Sequence, residues 1–311
     1  MVNVAIAGGT GGIGRTLVEA LASSPHNSFI LSRQTGPHMI TVDYDDIDSL
    51  AETLEANEIH TVISAFGIND KSLSKSQANL IEAAKRAAPT KRFIPTSFAI
   101  PYPKEAVELL PQLKDYFAAI ETLKKSDLEW TVFHCGILLD YYGGPGFKTQ
   151  MKHNTIVIDL SHKVAAIPGD GNVPVTFTYT VDLATFVVAS LDLKEWAEES
   201  RVAGDTLTWN EFLSLAEQTV GAKFEVHYDS IEKLKRFEIT ELPSHQALYE
   251  NFPKKIFQRF MSIFELFTAD GSAHIPKEGS FNDRFPETNV LSVQDLLERH
   301  WMGVKEQATA A

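Results

Sequence analysis

Val2-Asn3-Val4-Ala5-Ile6-Ala7-Gly8-Gly9-Thr10-Gly11-Gly12-Ile13-Gly14 is the stretch that decides the fold. Residues 2–7 form a short apolar run and read as a buried strand. Residues 14–23 read as a helix, with Leu17, Val18, Ala20 and Leu21 on its inner side. The turn between them has the frame Gly8-x-Thr10-Gly11-x-x-Gly14, with Gly12 and Ile13 completing it. Glycine permits the tight turn, lets backbone approach a pyrophosphate, and lets helix and strand pack closely. The helix start offers unpaired N–H donors and the positive end of its dipole. A strand before the glycines and a helix after them give the context that dinucleotide binding requires. The competing reading is a glycine-rich turn that serves packing alone.

The end of the next strand, residues 28–32, decides which dinucleotide. A site selecting NAD places an acid there to hold the ribose hydroxyls. Here the strand runs out as Ile30-Leu31-Ser32-Arg33, and no acid follows until Asp43. A guanidinium is a planar fork suited to a 2′-phosphate, so the expected cofactor is NADP(H). A merely solvated strand-end charge is the alternative for Arg33.

Outward from this unit, apolar runs alternate with helical patterns. Strands are expected at 39–42, 61–65, 92–95 and 129–134, and helices at 50–56, 76–88 and 113–125. Short strands alternating with helices imply an α/β fold with a Rossmann-like, doubly wound parallel sheet. The pattern changes after the breaker cluster Tyr141-Tyr142-Gly143-Gly144-Pro145-Gly146. Residues 1–150 are therefore expected to form the nucleotide-binding domain. Residues 151–311 are expected to form a smaller α+β substrate-binding part, packed on the first and not independent. Phe257, Phe260, Met261, Phe264 and Phe267 fall near one helical face, as a core stripe or a ligand wall. The tail after Trp301 is expected to fray.

Composition narrows the function. The chain has 311 residues, and 28 Lys and Arg against 41 Asp and Glu leave a formal charge of −13, so no nucleic-acid partner is expected. Its single cysteine, Cys135, cannot form an intrachain disulfide, which suits a reducing compartment, and a cytoplasmic location is expected. No basic leader with a long apolar stretch stands at the start, and no uncharged apolar run is long enough to span a bilayer, so no membrane partner is expected. The ten histidines show no metal-ligand spacing, and no metal is expected. No Gly-x-Ser-x-Gly elbow supports acyl hydrolysis. Oligomeric state is left open.

Several further segments carry a resemblance. They include Leu31-Ser32-Arg33, Val62-Ile63-Ser64-Ala65-Phe66-Gly67, Gln77 to Lys85, Lys91-Arg92-Phe93-Ile94-Pro95, Leu128-Glu129-Trp130-Thr131-Val132, Ile167-Pro168-Gly169-Asp170-Gly171-Asn172 and Leu207-Thr208-Trp209-Asn210-Glu211. With the glycine turn, and in this order, they make the chain resemble the NmrA-like and isoflavone reductase-like group of atypical short-chain dehydrogenases. The wording around Asp140-Tyr141-Tyr142-Gly143 and Pro174 to Thr178 looks most like fungal members. The resemblance implies NADPH bound over the glycine turn and Arg33, with Ser64, Ala65 and Phe66 near the adenosine-side ribose and pyrophosphate. It implies that Pro95-Thr96-Ser97-Phe98 and His134-Cys135-Gly136-Ile137 surround the nicotinamide. The activity implied is reduction of an aromatic or conjugated small molecule: a carbonyl, an enone or a benzylic ether. A cofactor-binding regulatory sensor without catalysis is the other role known in the group.

The chain departs from the group at two points. Reductases of the family carry a catalytic lysine on the helix before the sixth strand, and the ungapped position here is Tyr116. The nearest lysine is Lys114. Leu113, Tyr116, Phe117, Ile120 and Leu123 share one face at 100° per residue. If the helix includes residue 114, Tyr116 faces in and Lys114 faces out; if it starts later, Lys114 can reach the cleft. A phenol held within hydrogen-bond reach can protonate an oxyanion, so Tyr116 and Lys114 are both candidate proton donors, and an aromatic core role for Tyr116 is the alternative. The family's Pro-Ser-Glu-Phe-Gly reads Pro95-Thr96-Ser97-Phe98-Ala99 here, without the acid. His134, Gly136, Asp140, Tyr141 and Tyr142, at or past the end of the sixth strand, are candidate substrate contacts, since open parallel sheets bind ligands at that edge.

Overall fold

A computed structural model describes residues 1–67, 72–250 and 252–303. Most of the tail for which fraying is expected lies outside these residues.

The first strand, β1 (Asn3–Ala7), enters the glycine turn and leaves it as α1 (Gly12–Ala22). Then follow β2 (Asn27–Ser32), β3 (Met39–Thr41), α2 (Ile47–Ala56) and β4 (Ile59–Ser64). Asp46 caps α2 by accepting from the Ser49 amide. A π-helical turn over Ser72–Ser76 leads into α3 (Gln77–Arg86), then come β5 (Arg92–Ile94), a short α4 (Ala106–Leu109), α5 (Leu113–Lys124) and β6 (Glu129–Trp130). The six strands form one sheet in the order β3-β2-β1-β4-β5-β6, and every adjacent pair is parallel.

Alternation along β1 shows why this sheet needs helices on both faces. Val4 and Ile6 pack with Leu17 and Leu21 of α1 and with Leu183, Phe186 and Val187. Ala5 and Ala7 point the other way, toward Leu50, Leu54, Leu80, Ile81 and Leu123 of α2, α3 and α5.

The expected sixth strand, 129–134, is broken at Thr131. Its first part pairs with β5, and the second, β7 (Val132–His134), leaves the main sheet. Pro95 follows β5 directly and has no N–H to extend the ladder. The chain instead turns β7 onto a later strand, β12 (Glu199–Arg201), and buried Thr131 is tied to Ser200 by a 2.7 Å hydroxyl bond.

Beyond β7 lie β8 (Ile137–Leu138), β9 (Ile158–Asp159), β10 (Val164–Pro168), β11 (Pro174–Thr178), α6 (Thr180–Ser190) and, after β12, β13 (Asp205–Thr208). The remainder is α7 (Trp209–Val220), β14 (Glu225–Asp229), α8 (Ile231–Lys235), α9 (Lys254–Ala269), α10 (Phe281–Arg284) and α11 (Val293–His300). Two three-stranded sheets, β14-β10-β9 and β13-β11-β8, organise this half. Its core gathers Phe177, Trp209, Phe212, Met261, Phe267 and Leu296. The α7 helix starts on a complete capping box, Thr208 with Glu211. Helix α6 packs on α1, so a segment late in the chain closes one face of the six-stranded sheet. Among the described residues no helix is long and apolar enough to cross a membrane.

Candidate functional site

The glycine turn is shaped by close backbone approach. Gly8 has φ +82, and a Cβ there would lie 2.4 Å from the Ala65 carbonyl oxygen. A Cβ on Gly14 would lie 2.1 Å from the Gly8 carbonyl oxygen. Only glycine fits at both, so the turn is drawn tight against the end of β4. The Gly11 amide donates to Gly8 O at 3.0 Å and the Arg15 amide to Gly11 O at 2.8 Å. The first-turn amides of Gly12, Ile13 and Gly14 have no acceptor among the described residues, and no side chain caps α1. Three free donors at a helix start suit an anionic group, and the exposed Thr10 stands at the same lip.

Beside this turn, Ser64, Ala65 and Phe66 leave β4. Thr96 is buried and knots them together: its Oγ1 lies 2.8 Å from Ser64 Oγ and accepts from the Phe66 amide at 3.1 Å. Its own amide donates to Gln77 Oε1 at 2.7 Å. Ser97 Oγ accepts from the Phe133 amide at 2.9 Å, clipping the end of β5 to β7. The next residue, Phe98, takes φ +53, a strained conformation for a side chain of this size, and stacks on Phe133 at 6.2 Å. Thr96 and Ser97 thus shape the floor of the edge where the sheet's strands end.

Arg33 is exposed at the end of β2 and makes no ion pair among the described residues. Burial raises the pKa of the neighbouring Tyr44, and the Arg33 charge works against that rise. Tyr44 donates to Leu31 O at 2.9 Å and meets Phe66 edge-on at 5.1 Å. Arg33, Tyr44 and Phe66 therefore stand together where β2 and β4 end, with the glycine turn beside them.

A strap of chain crosses the start of α1. Met151 Sδ and the Gln150 carbonyl lie 2.6 and 3.2 Å from where a Gly12 Cβ would stand. Arg15 Nη1 donates to Gln150 Oε1 at 3.2 Å, and Gln150 Nε2 to Glu19 at 2.5 Å. Tyr179 donates to Lys148 O at 2.5 Å. No feature of the sequence marked residues 148–151; the strap's register depends on partners far along the chain.

Helix α5 begins at Leu113, so Lys114 is inside the helix and exposed while Tyr116 is buried. That places the lysine on the outer surface. Tyr116 packs edge-on against Phe117 at 5.0 Å and Tyr102 at 5.9 Å. Burial raises its pKa, and the Glu199 charge adds to the rise. Tyr102, between Pro101 and Pro103 just past the end of β5, was not among the sequence candidates. The available signal is its place: a tyrosine in a loop at the carboxyl edge of the sheet.

The expected substrate contacts divide. Asp140 is buried and accepts from the Thr180 amide at 2.9 Å, Thr180 Oγ1 at 2.7 Å and Thr149 Oγ1 at 2.6 Å. Its carboxylate fastens the strap to the start of α6. Tyr142 is 2 % exposed, donates to Ile156 O at 3.0 Å and packs on Phe212 at 4.7 Å, so it belongs to the core. Gly136 lies against β11, where a Cβ would meet Thr176 O at 2.2 Å. Tyr141 is half-buried against the cluster that holds Tyr102 and Tyr116. His134 is buried with Nδ1 unpartnered; burial, reinforced by the Arg201 charge and opposed by a backbone bond at Ile100, brings its pKa down to about 4. It is a neutral imidazole at physiological pH. Among the described residues no group of three His, Cys, Asp or Glu side chains could hold a metal ion.

Comparison with known proteins adds the following. A family profile described as the NmrA-like family matches residues 2–280. A protein of Metarhizium robertsii called oxidoreductase swnN is 30% identical over 97% of this chain and 98% of its own length. One of Botryotinia fuckeliana called oxidoreductase BOA1 is 33% identical over 92% of this chain and 95% of its own. The solved binary complex of leucoanthocyanidin reductase with NADPH from Vitis vinifera superposes with a TM-score of 0.73 at 19% identity, covering 96% of this chain and 99% of that one.

Proposed function

The chain belongs to the NmrA-like family, and from that premise we propose that it is an NADPH-dependent reductase of an aromatic or conjugated small molecule. The observation that carries the reading is the pairing of a glycine cradle with three unpaired amides and an exposed guanidinium that has no carboxylate partner among the described residues. The amides of Gly12, Ile13 and Gly14 hold the pyrophosphate, and Gly8, Thr10 and Gly11 shape its bed. Arg33 takes the 2′-phosphate, and Ser64, Ala65 and Phe66 border the adenosine side. Thr96 and Ser97 keep the carboxyl edge of the sheet in register beneath the nicotinamide end. NADPH supplies a hydride to an electrophilic carbon of the substrate.

Tyr116 protonates the oxygen that gains charge. Burial keeps its phenol protonated through the neutral range, so it is a donor there and not a base. Lys114 points to solvent and has no part in this step. Neutral His134 and half-buried Tyr141 line the same edge. The relatives named oxidoreductases, and the NADPH-bound plant reductase of like fold, support the assignment without naming a substrate.

Calorimetric titration with NADPH and NADH tests the cofactor. Wild type binds NADPH more tightly, and Arg33→Asp weakens NADPH by about 10- to 100-fold, the worth of a charge-assisted contact, while leaving NADH nearly unchanged. Equal weakening of both, or silence with both, overturns the assignment. NADPH binding without consumption across a panel of aromatic ketones, enones and benzylic ethers would instead favour a regulatory sensor.

A further inference from the structure

Tyr102 is an aromatic, half-buried residue past the carboxyl end of β5 that packs on both α5 and α9. Its ring meets Tyr116 at 5.9 Å and, on the α9 side, Phe267 at 6.0 Å and Phe264 at 6.5 Å, all edge-on. Phe264 continues to Phe260 at 4.6 Å. Tyr102, Tyr141, Phe260 and Phe264 are all only partly buried where they pack on this cluster. An aromatic face left half open between two parts of a chain is the usual lining of a small-molecule site.

The polar end of this face is also unmet. Neither Tyr102 nor Tyr116 has a hydrogen-bond partner for its hydroxyl among the described residues. Desolvation raises the pKa of both phenols. Both therefore stay protonated, and each is free to donate.

Building on the reductase reading, we propose that Tyr102 and Tyr116 form a two-phenol oxyanion hole, with Phe264 as its aromatic wall, which holds the substrate oxygen that becomes anionic during reduction. The bookkeeping is that of a carbonyl reduction. The bound coenzyme would supply the hydride for the new C–H bond; as the C=O π pair moves onto oxygen, the Tyr116 proton neutralises it. Tyr102 keeps its proton and donates a hydrogen bond throughout. The Tyr116 phenolate recovers its proton from solvent. Two donors aimed at a developing charge are worth more than one, and they cost nothing to orient when aromatic packing already fixes their rings.

The test reads binding rather than turnover. 4-Nitrophenol, a planar aromatic whose anion absorbs in the visible, is titrated into the purified chain near neutral pH. Wild type is expected to bind it and to raise the phenolate fraction of the bound probe. Tyr102→Phe and Tyr116→Phe should each weaken phenolate binding by about 10-fold, the loss of one hydrogen bond to a charged acceptor. Tyr228→Phe, at an exposed position, should change nothing. Tyr102→Phe removes a hydroxyl with no partner in the fold, so its melting temperature should match wild type, which separates a lost contact from a lost structure. No phenolate binding by wild type, or equal binding by Tyr102→Phe, overturns the two-phenol site. NADPH titration of the same samples judges the coenzyme assignment separately, since Tyr102 is not part of the glycine cradle.

Discussion

Replacing Gly14 with alanine tests the glycine turn directly. The new methyl carbon would stand 2.1 Å from the Gly8 carbonyl oxygen, 2.7 Å from its carbon and 3.0 Å from Gly9 Cα, all of them backbone. Ordinary contact begins near 3.4 Å, so the turn must open by about 1 Å and cannot yield by swinging a side chain. In a helix, Gly→Ala gains about 1 kcal/mol of propensity. Overpacking costs about 1–3 kcal/mol, so the net effect is a loss of up to about 2 kcal/mol and a melting point lower by up to a few degrees. Cofactor binding suffers more, because the displaced segment carries the three free amides; NADPH should bind at least about 10-fold more weakly. Two neighbours provide the contrast. A Cβ on Gly12 meets Met151 Sδ at 2.6 Å, the far end of a flexible chain that can turn aside, and one on Gly67 meets nothing within 4 Å. Gly67→Ala should match wild type, and Gly12→Ala should stay within about 1 kcal/mol of it. Thermal melts and NADPH calorimetry on the three variants decide the matter. A Gly14→Ala protein that melts and binds like wild type would refute the account of the cradle.

Three further outcomes follow from the same geometry. Lys114→Ala should leave NADPH consumption on a reducible aromatic substrate unchanged, whereas Tyr116→Phe should slow it by about 100-fold or more; the opposite ranking in steady-state assays would return the role to the lysine. Thr96→Val keeps the shape but strands Ser64 Oγ and the Phe66 amide, and denaturant titration should show a loss of about 1–3 kcal/mol. Burial brings the Asp182 carboxyl up to about 6, although the Leu291 amide donates to it at 2.7 Å. The folded chain therefore holds this proton to a higher pH than the unfolded chain does. The stability it contributes is complete at low pH and is lost as pH rises through about 6. Asp182→Asn should remove that slope and gain on wild type above pH 6 in parallel melts, and an unchanged difference between pH 4 and pH 8 would contradict it.

What could be read in the sequence were features whose cause is local. The strand, glycine turn and helix are written into residues 3–22 because Gly14 answers to Gly8 a few residues away and Gly8 to the end of the adjacent strand. The facing of α5 followed from the spacing of Leu113, Tyr116, Ile120 and Leu123, which turns Lys114 outward once the helix begins at Leu113. The hidden features are those whose partners lie far along the chain. Residues 129–134 look like one strand, yet β7 answers to β12 more than sixty residues on. Asp140 and Tyr142 look like ligand contacts at a strand end, but Thr149, Thr180 and Ile156 claim their polar atoms. Tyr102 stands between prolines, where no periodicity marks it, and only the fold brings it to Tyr116.

The Asp140 carboxylate has a consequence beyond its own burial. It grips Thr149 on the strap and Thr180 at the root of α6 at once. The strap rests on Gly12, and α6 rests on α1. Two separate routes thus lead from a single acid to the same helix, the one whose first turn carries the three free amides. A displacement of the strap or of the root of α6 would therefore reach that first turn from above and from the flank together.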